Sequence, residues 1–128
     1  MLDRVHHVGI TQDTVAFRTS PFVSWDPNRP NSLATFLGHS QLVYNAMWSP
    51  HVPACFASVS GDGALKIWNS HIPQRATMTL RAHDAEVLSL DWCKYDQNIL
   101  ATGASDGLIR GWDLRNFSSP VFELKVDV

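Results

Sequence analysis

Residues 38–69 read GHSQLVYNAMWSPHVPACFASVSGDGALKIWN, and residues 82–113 read AHDAEVLSLDWCKYDQNILATGASDGLIRGWD. Placed over each other with a constant offset of 44 positions and no gap, the two stretches agree at polar and at apolar positions. The identical pairs include His39 with His83, Val43 with Val87, Trp48 with Trp92, Ala57 with Ala101, Asp62 with Asp106, Gly63 with Gly107, and Trp68 with Trp112. A period of this length is typical of repeat architectures, so the fold can be predicted from the repeat unit.

Each copy predicts four antiparallel β-strands. VYNAMW (43–48) and VLSLDW (87–92) alternate with a period of two residues, and the runs 55–60 and 99–105 follow after short loops. Asp62-Gly63 and Asp106-Gly107 then predict tight turns, because glycine accepts a positive φ and aspartate tolerates one. The return strands are 64–68 and 108–112, and the fourth strands are 76–80 and 121–126.

The composition excludes several function classes. Ten Lys plus Arg against twelve Asp plus Glu give a formal charge of −2, which excludes the strongly basic surface of a nucleic-acid-binding domain. With 45% apolar and 17% charged residues, the chain is not of the disordered type. The first residues lack the pattern of a secretory signal, and the two cysteines form no disulfide framework, so we expect a reduced intracellular protein.

With four strands per repeat and a Gly-His…Trp-Asp pattern, the sequence resembles the WD-repeat family of β-propellers. Gly38-His39 and Ala82-His83 stand at the Gly-His position, and Trp68-Asn69 and Trp112-Asp113 stand at the Trp-Asp position. Trp25-Asp26 lies 43 residues before Trp68-Asn69 and marks the end of a third copy.

The resemblance implies an all-β fold: a partial propeller with two complete four-stranded blades and the edge of a third. We predict an unassigned segment over residues 1–24, the last strand of a preceding blade over 25–37, one blade over 38–81, and a second blade with a truncated end over 82–128. Since propellers usually close with four to eight blades, we expect the chain to be part of a longer propeller.

His39, Ser58 and Asp62 have the composition of a hydrolase triad, but the second copy carries His83, Thr102 and Asp106 at the same positions. An enzyme seldom builds one nucleophile site twice. Resemblance to WD repeats implies instead a buried hydrogen-bond relay in each copy, which ends on the blade tryptophan, Trp68 or Trp112. We therefore predict no enzyme activity, no cofactor and no metal site. A hydrolase at Ser58 remains the alternative, which labelling by an activated-serine probe would reveal.

Several runs outside the signature positions are similar to the family of receptors for the type-2 peroxisomal targeting signal, the peroxin-7 family. They are WSPHVPACFAS (48–58), WCKY (92–95), RGWDLRN (110–116) and PVFEL (120–124). This resemblance implies a cargo receptor that recognises the type-2 signal and delivers matrix proteins to the peroxisome. Its partners would be proteins that carry the signal, an import co-receptor and peroxisomal docking proteins, and it would cycle between cytoplasm and peroxisome. The alternative is a WD-repeat scaffold or substrate adaptor in another multiprotein complex.

A signal with basic and apolar anchors needs acidic and apolar groups on one propeller face. Such groups would come from just after the Gly-His position and from the turn before the signature aspartate. The candidate peptide-binding residues are Leu42, Tyr44, Asp84, Glu86, Leu88 and Ser105. Of these, Asp84 and Glu86 are predicted to meet a basic anchor.

Overall fold

A computed structural model describes residues 6–10, 15–18, 34–72 and 74–126. These residues form eleven β-strands in three antiparallel sheets, and no helix occurs among them. The strands are β1 (His6–Ile10), β2 (Val15–Arg18), β3 (Ala34–His39), β4 (Val43–Trp48), β5 (Cys55–Ser60), β6 (Ala64–Asn69), β7 (Met78–Arg81), β8 (Val87–Trp92), β9 (Ile99–Ala104), β10 (Leu108–Asp113) and β11 (Phe122–Lys125). The predicted all-β class with four-stranded antiparallel blades is confirmed.

The two sequence copies fold into two sheets of the same design. The first blade has the strand order β4-β5-β6-β7, and the second has the order β8-β9-β10-β11, so that each strand pairs with its neighbour in the chain. Their registers match at the offset of 44: Ser58 pairs with Lys66, and Thr102 pairs with Arg110. Each first strand also carries a bulge at the same place, after Val43 and after Val87.

The strand bounds differ from the predicted ones mainly in the fourth strands. The predicted strand over 76–80 begins at Met78 instead, and the predicted strand over 121–126 spans Phe122–Lys125. Thr77 donates its amide to the Ile67 carbonyl at 2.8 Å, a bond that precedes the regular ladder. The sequence pattern does not distinguish this single hydrogen bond from those of the regular β-ladder, so the predicted strand begins two residues before the observed one.

Upstream of the first blade, β1 pairs with both β2 and β3 in a sheet ordered β2-β1-β3. Two short strands therefore lie within the segment 1–24 for which no structure was assigned from sequence. Of the strand predicted over 25–37, residues 25–33 lie outside the described residues, and β3 covers Ala34–His39, across the predicted boundary at residue 38.

The predicted Asp-Gly turns place glycine in the left-handed region, with φ of 83° at Gly63 and 82° at Gly107. At Gly63 the turn also touches the next repeat: its carbonyl accepts the amides of Ala82 at 2.9 Å and His83 at 3.2 Å. An added Cβ at Gly63 would stand 2.5 Å from the His83 carbonyl oxygen. The first blade is therefore fastened to the start of the second through a turn that only glycine fits.

The main hydrophobic core lies between the two blades. It consists of Ala57, Val59, Leu65, Ile67, Ala82, Val87, Leu90, Trp92, Leu100 and Trp112. Across this boundary the Trp92 indole N–H donates to the Met47 carbonyl at 3.0 Å. A second cluster surrounds Phe36 of β3, whose ring meets Phe56 and Trp68 edge-on at centroid distances of 5.0 and 5.3 Å. Apolar side chains thus join the three sheets in series.

Candidate functional site: two buried relays and the seam between the blades

In the first blade, the four predicted relay residues lie in one hydrogen-bonded chain. The Trp68 indole N–H donates to the Ser58 hydroxyl oxygen at 2.9 Å, and that oxygen lies 2.7 Å from His39 Nε2. His39 Nδ1 lies 3.0 Å from Asp62 Oδ2. An ionised carboxylate accepts hydrogen bonds and does not donate them, so His39 Nδ1 carries a hydrogen and donates it to Asp62 Oδ2. Each polar side-chain atom of this first relay therefore has a hydrogen-bond partner.

Asp62 anchors this relay to the turn at the blade's end. Its side chain is 11% exposed and accepts the amide of Ser40 at 2.9 Å and that of Ala64 at 2.9 Å. Burial on its own would raise the pKa of this carboxyl, but the hydrogen bond and charge of His39, with the two amides, lower the pKa to about 2. Asp62 is therefore ionised over the whole neutral and mildly acidic range.

The second relay repeats the first in part. Trp112 donates to the Thr102 hydroxyl oxygen at 3.0 Å, and that oxygen lies 2.9 Å from His83 Nε2. His83 Nδ1, however, is 3.9 Å from Asp106 Oδ2, which is beyond hydrogen-bonding distance, and it is the one buried side-chain polar atom without a partner among the described residues. The predicted closed relay is therefore open at this link in the second blade.

The open link changes the environment of His83. Burial lowers the pKa of its imidazole, since desolvation disfavours the charged form, and the field of Arg110 adds to this effect against that of Asp106. Asp106 accepts the Leu108 amide at 3.0 Å but has a side chain 29% exposed, more than twice the exposure of Asp62. Asp106 is therefore closer to solvent than Asp62, and it forms no hydrogen bond with His83.

This geometry is that of a structural network. Ser58 is 0% exposed, and its oxygen is held between an imidazole and an indole. Thr102 at 1% exposure has the same two partners in the second blade. A nucleophile must face a bound substrate, and these hydroxyls face only protein.

The candidate peptide-binding residues lie at the end of the blades that carries the Asp-Gly turns, and three of them meet at the boundary between the blades. The Tyr44 hydroxyl of the first blade donates to Glu86 Oε2 at 2.7 Å. The Ser105 amide donates to the Glu86 carbonyl at 2.9 Å. We call this junction of Tyr44, Glu86 and Ser105 the seam.

The other three candidates are near the seam in sequence but make different contacts. The Leu42 carbonyl accepts the Gly61 amide at 2.8 Å, which places the residue beneath the turn. Asp84 is 3.5 Å from Arg81 in an ion pair exposed on both sides, with side chains 95% and 68% exposed. Leu88, 43% exposed, lies at the bulge of β8. Asp84 and Leu88 thus remain accessible.

Sequence reasoning missed two residues that form the wall of the seam. Glu86 Oε2 lies so close to Gly61 that a Cβ there would be 3.0 Å from the carboxylate oxygen, and the next neighbour of that Cβ would be the Gln41 side chain at 3.2 Å. The signal for Gly61 was present, because the second copy has the small residue Ser105 at the same place. Gln41 carries no such signal.

Carboxylates dominate this end of the two blades. The loops and turns here carry Asp62, Asp84, Glu86 and Asp106, and two cations offset them in part: Arg81 beside Asp84, and Lys125, which stands opposite Leu108 next to the Asp106 turn. The opposite end holds Lys94, Arg115 and His51, with Arg115 paired to Asp113 at 2.8 Å. The seam is therefore suited to a basic partner by charge.

A metal site, a membrane-spanning helix and a cavity are the other features by which the described residues could carry a function. Within the described residues there is no group of three or more His, Cys, Asp or Glu side chains placed to hold a metal ion. In the same part of the chain, no helix is long and apolar enough to cross a membrane. Two cavities of about 210 and 260 Å³ lie away from the seam, the larger one beside Cys93, Ile99 and Phe122.

The chain matches known proteins in sequence and in structure. Residues 30–69 and 74–113 each match the family described as WD domain, G-beta repeat. The GATOR2 complex protein WDR24 of Homo sapiens is 32% identical over 90 residues, which are 70% of this chain and 11% of that protein. The Xenopus laevis protein of the same name is 30% identical over 90 residues, 12% of its length. The chain therefore spans about a tenth of these curated relatives.

Two solved structures share the fold. A chain in the crystal structure of the mitotic checkpoint complex superposes with a TM-score of 0.66 at 22% identity, over 96% of this chain and 36% of that one. The WD40 domain of Toxoplasma gondii coronin superposes with a TM-score of 0.65 at 24% identity, over 72% of this chain and 25% of that one. At these identities the likeness concerns the fold alone.

Proposed function

Because the chain belongs to the WD-repeat family, we propose that it acts as a non-catalytic scaffold or substrate adaptor within a multiprotein complex. WD-repeat proteins are in general non-enzymatic scaffolds, and the WDR24 relatives are named as components of a complex. The proposal rests on where the polar side chains lie, because one set is buried within the blades and another is exposed at the seam. The buried relays use their hydroxyls and imidazoles internally, while Glu86 and its acidic neighbours are presented at the surface of the seam.

A site-specific cross-linker tests this role. A photoreactive amino acid at the exposed Asp84 position should capture a defined partner in cells, and reversal of the seam charge by Glu86→Lys should reduce that capture several-fold. The matched control is Arg115→Glu, which reverses an exposed charge at the opposite end and should leave capture unchanged. Equal capture by the two variants, or capture of no discrete partner, contradicts a seam-directed adaptor.

A more specific version of the proposal is a cargo receptor for the type-2 peroxisomal targeting signal. It rests on the sequence runs at 48–58, 92–95, 110–116 and 120–124, and the acidic seam has the charge that a basic anchor of the signal requires. In this version the partners are signal-bearing proteins, an import co-receptor and peroxisomal docking proteins, and the protein moves between cytoplasm and peroxisome. The named relatives favour the broader scaffold role over this one.

Peptide binding separates the two versions. A labelled peptide with a type-2 signal should bind the chain in fluorescence anisotropy, and Glu86→Gln should weaken binding about tenfold, equivalent to about 1.4 kcal/mol. The control peptide has its basic anchors replaced by alanine. If both peptides bind alike, or neither binds, the receptor version is wrong, while the cross-linking result decides the scaffold version independently.

A further inference from the structure

The two relays differ at one carboxylate oxygen. Asp62 Oδ2 is held from two sides, by His39 Nδ1 at 3.0 Å and by the Ser40 amide at 2.9 Å. Asp106 Oδ2 has neither of these bonds within the part of the chain that the structure describes, because His83 Nδ1 lies 3.9 Å away and is itself buried without a partner. A buried polar atom left unpaired is costly, so this open link requires a physical cause.

The cause lies inside the second blade. Every residue that holds Asp62 belongs to its own blade, and each has a counterpart 44 positions later in the chain. The holding residues are His39, Ser40 and Ala64, and the counterparts are His83, Asp84 and Leu108. One of the three bonds is kept, since the Leu108 amide donates to Asp106 Oδ1 at 3.0 Å. The glycine carbonyl of each turn also accepts the amide that follows the fourth strand, at 2.9 Å and at 2.7 Å.

The two copies differ at the residue that follows the relay histidine. Ser40 stands there in the first blade, and Asp84 stands there in the second. The amide of this residue is the one that holds the relay carboxylate, so closing the second link would bring Asp106 toward the backbone of another aspartate. Two carboxylates repel each other at such a distance. Arg81 offsets the charge of Asp84 only weakly, because the two side chains are 3.5 Å apart and are 68% and 95% exposed.

We propose that the second relay is a two-state link: Asp84 holds it open in the free chain, and a lysine or arginine side chain of a partner closes it by neutralising Asp84. Closing gives Asp106 Oδ2 the two bonds that Asp62 Oδ2 already has, and it satisfies the buried nitrogen of His83. The Asp84 side chain is 95% exposed and therefore open to such a partner. This inference rests on the proposed function, from which it takes the basic partner at the acidic end of the blades.

The coupling is reciprocal. A ligand shifts an equilibrium between two states only by the difference of its affinities for them. A cation at Asp84 binds the closed state more tightly, because in that state two carboxylates lie close together. The partner therefore closes the relay of the second blade, and a relay that is already closed binds the partner more tightly by the same factor.

Nuclear magnetic resonance of the histidine rings tests the link in the free chain. The Nδ1 hydrogen of His39, which Asp62 accepts, should exchange slowly with water, and that of His83 should exchange fast. Asp84→Ser copies the first blade and should slow exchange at His83 Nδ1 about tenfold, as should Asp84→Asn, which removes only the charge. The matched control is the reverse change in the first blade, Ser40→Asp, which should speed exchange at His39 Nδ1.

A peptide tests the partner. A blocked peptide with two arginines, added to the unmodified chain, should slow exchange at His83 Nδ1 as Asp84→Ser does, whereas the same peptide with alanines should have no effect. An open link in both Asp84→Ser and Asp84→Asn overturns the proposal and assigns the opening to another group, such as Lys125 opposite Leu108. An arginine peptide that binds in fluorescence anisotropy but leaves His83 unchanged overturns the coupling and leaves the proposed function intact. If Asp84→Ser closes the link but the peptide does not bind, the basic partner is wrong and the role of Asp84 stands.

Discussion

At the scale of single residues, the buried hydroxyls of the two relays hold the blades together from within. Thr102→Val keeps the shape of the side chain but removes the oxygen that contacts His83 Nε2 and Trp112 Nε1. Each buried polar atom left unpaired costs about 1–3 kcal/mol, so we expect the free energy of unfolding to fall by about 2–4 kcal/mol. Urea unfolding followed by tryptophan fluorescence measures the loss.

The control for that experiment is Thr102→Ser, which keeps the hydroxyl and removes one buried methyl group. Loss of one methyl group from a core costs about 1 kcal/mol, so this variant should be the more stable of the two. If valine is tolerated as well as serine, the hydroxyl contributes shape alone and the relay has no energetic role.

Asp62 predicts how stability depends on acidity. Its pKa is lowered to about 2 in the folded chain, against an ordinary value of 3.8, so folding is favoured by the ionised form. This contribution is complete above pH ~3.8 and is lost as the pH falls through ~2. The shift corresponds to about 2 kcal/mol, reduced to about 1–2 kcal/mol by screening at a partly exposed side chain.

Chemical unfolding of the chain and of Asp62→Asn between pH 5 and pH ~2 measures this term. The aspartate chain should lose about 1–2 kcal/mol more than the asparagine variant over that interval. Parallel pH profiles for the two proteins would mean that the carboxylate gains nothing from His39.

His83 predicts a second pH effect in the range nearer neutrality. Its folded pKa is lowered below the ordinary 6.5, so the unfolded chain binds the proton more readily. Stability contributed by this group is therefore complete above pH ~6.5 and declines as the pH falls below it. Chemical unfolding at pH 8 and pH 5 should show a decline that His83→Gln removes, and an unchanged decline in that variant would assign it to another group.

The sequence predicted the relay contacts better than the surface contacts for a physical reason. Ser58 and Thr102 are hydroxyl residues at the same position of the two repeats. The repeat in the sequence therefore identifies both as members of the same kind of buried contact. The open link at His83 depends on a difference of 0.9 Å between two turns of nearly identical sequence, and the repeat pattern does not reveal it. Likewise, Glu86 could be identified by charge, but its bond to Tyr44 depends on how two blades pack.

At the scale of elements, the two Asp-Gly turns have nearly the same backbone conformation, but their glycines have different neighbours. Gly63→Ala meets a positive φ, which costs about 1–2 kcal/mol, and places its methyl group 2.5 Å from the His83 carbonyl oxygen. Gly107→Ala meets nearly the same φ, but its methyl group would be 3.3 Å from the Val126 carbonyl oxygen. We expect the first variant to lose at least about 1 kcal/mol more than the second, because overpacking adds to strain.

Thermal or urea unfolding of both variants in parallel gives this difference directly. Equal losses would show that strain in the turn dominates and that the close approach of Gly63 to the His83 carbonyl adds no further cost. The strands themselves followed from alternation and turn residues, whereas the positive φ of 63° at Ala54 did not, because no glycine marks that position.

At the scale of the whole molecule, one side chain joins the two blades by both packing and hydrogen bonding. Trp92 belongs to the second blade, is 5% exposed, and donates its indole N–H to the Met47 carbonyl of the first. In repeat proteins stability is the sum of unit terms and of terms between neighbours, so a lost contact at a boundary weakens both units. Trp92→Phe keeps an aromatic ring and removes the donor, which should cost about 1–2 kcal/mol.

Hydrogen exchange separates this effect from damage inside a blade. In Trp92→Phe, amides of β5 and β9 should lose protection together, because the broken bond belongs to neither blade alone. In Thr102→Val, whose lost bonds lie within the second blade, β9 should lose protection first and β5 less. If Trp92→Phe affects β9 alone, then the blades are stabilised separately, and the seam that Glu86 and Tyr44 form would be a meeting of two independent units, not a fixed surface on which a partner is recognised.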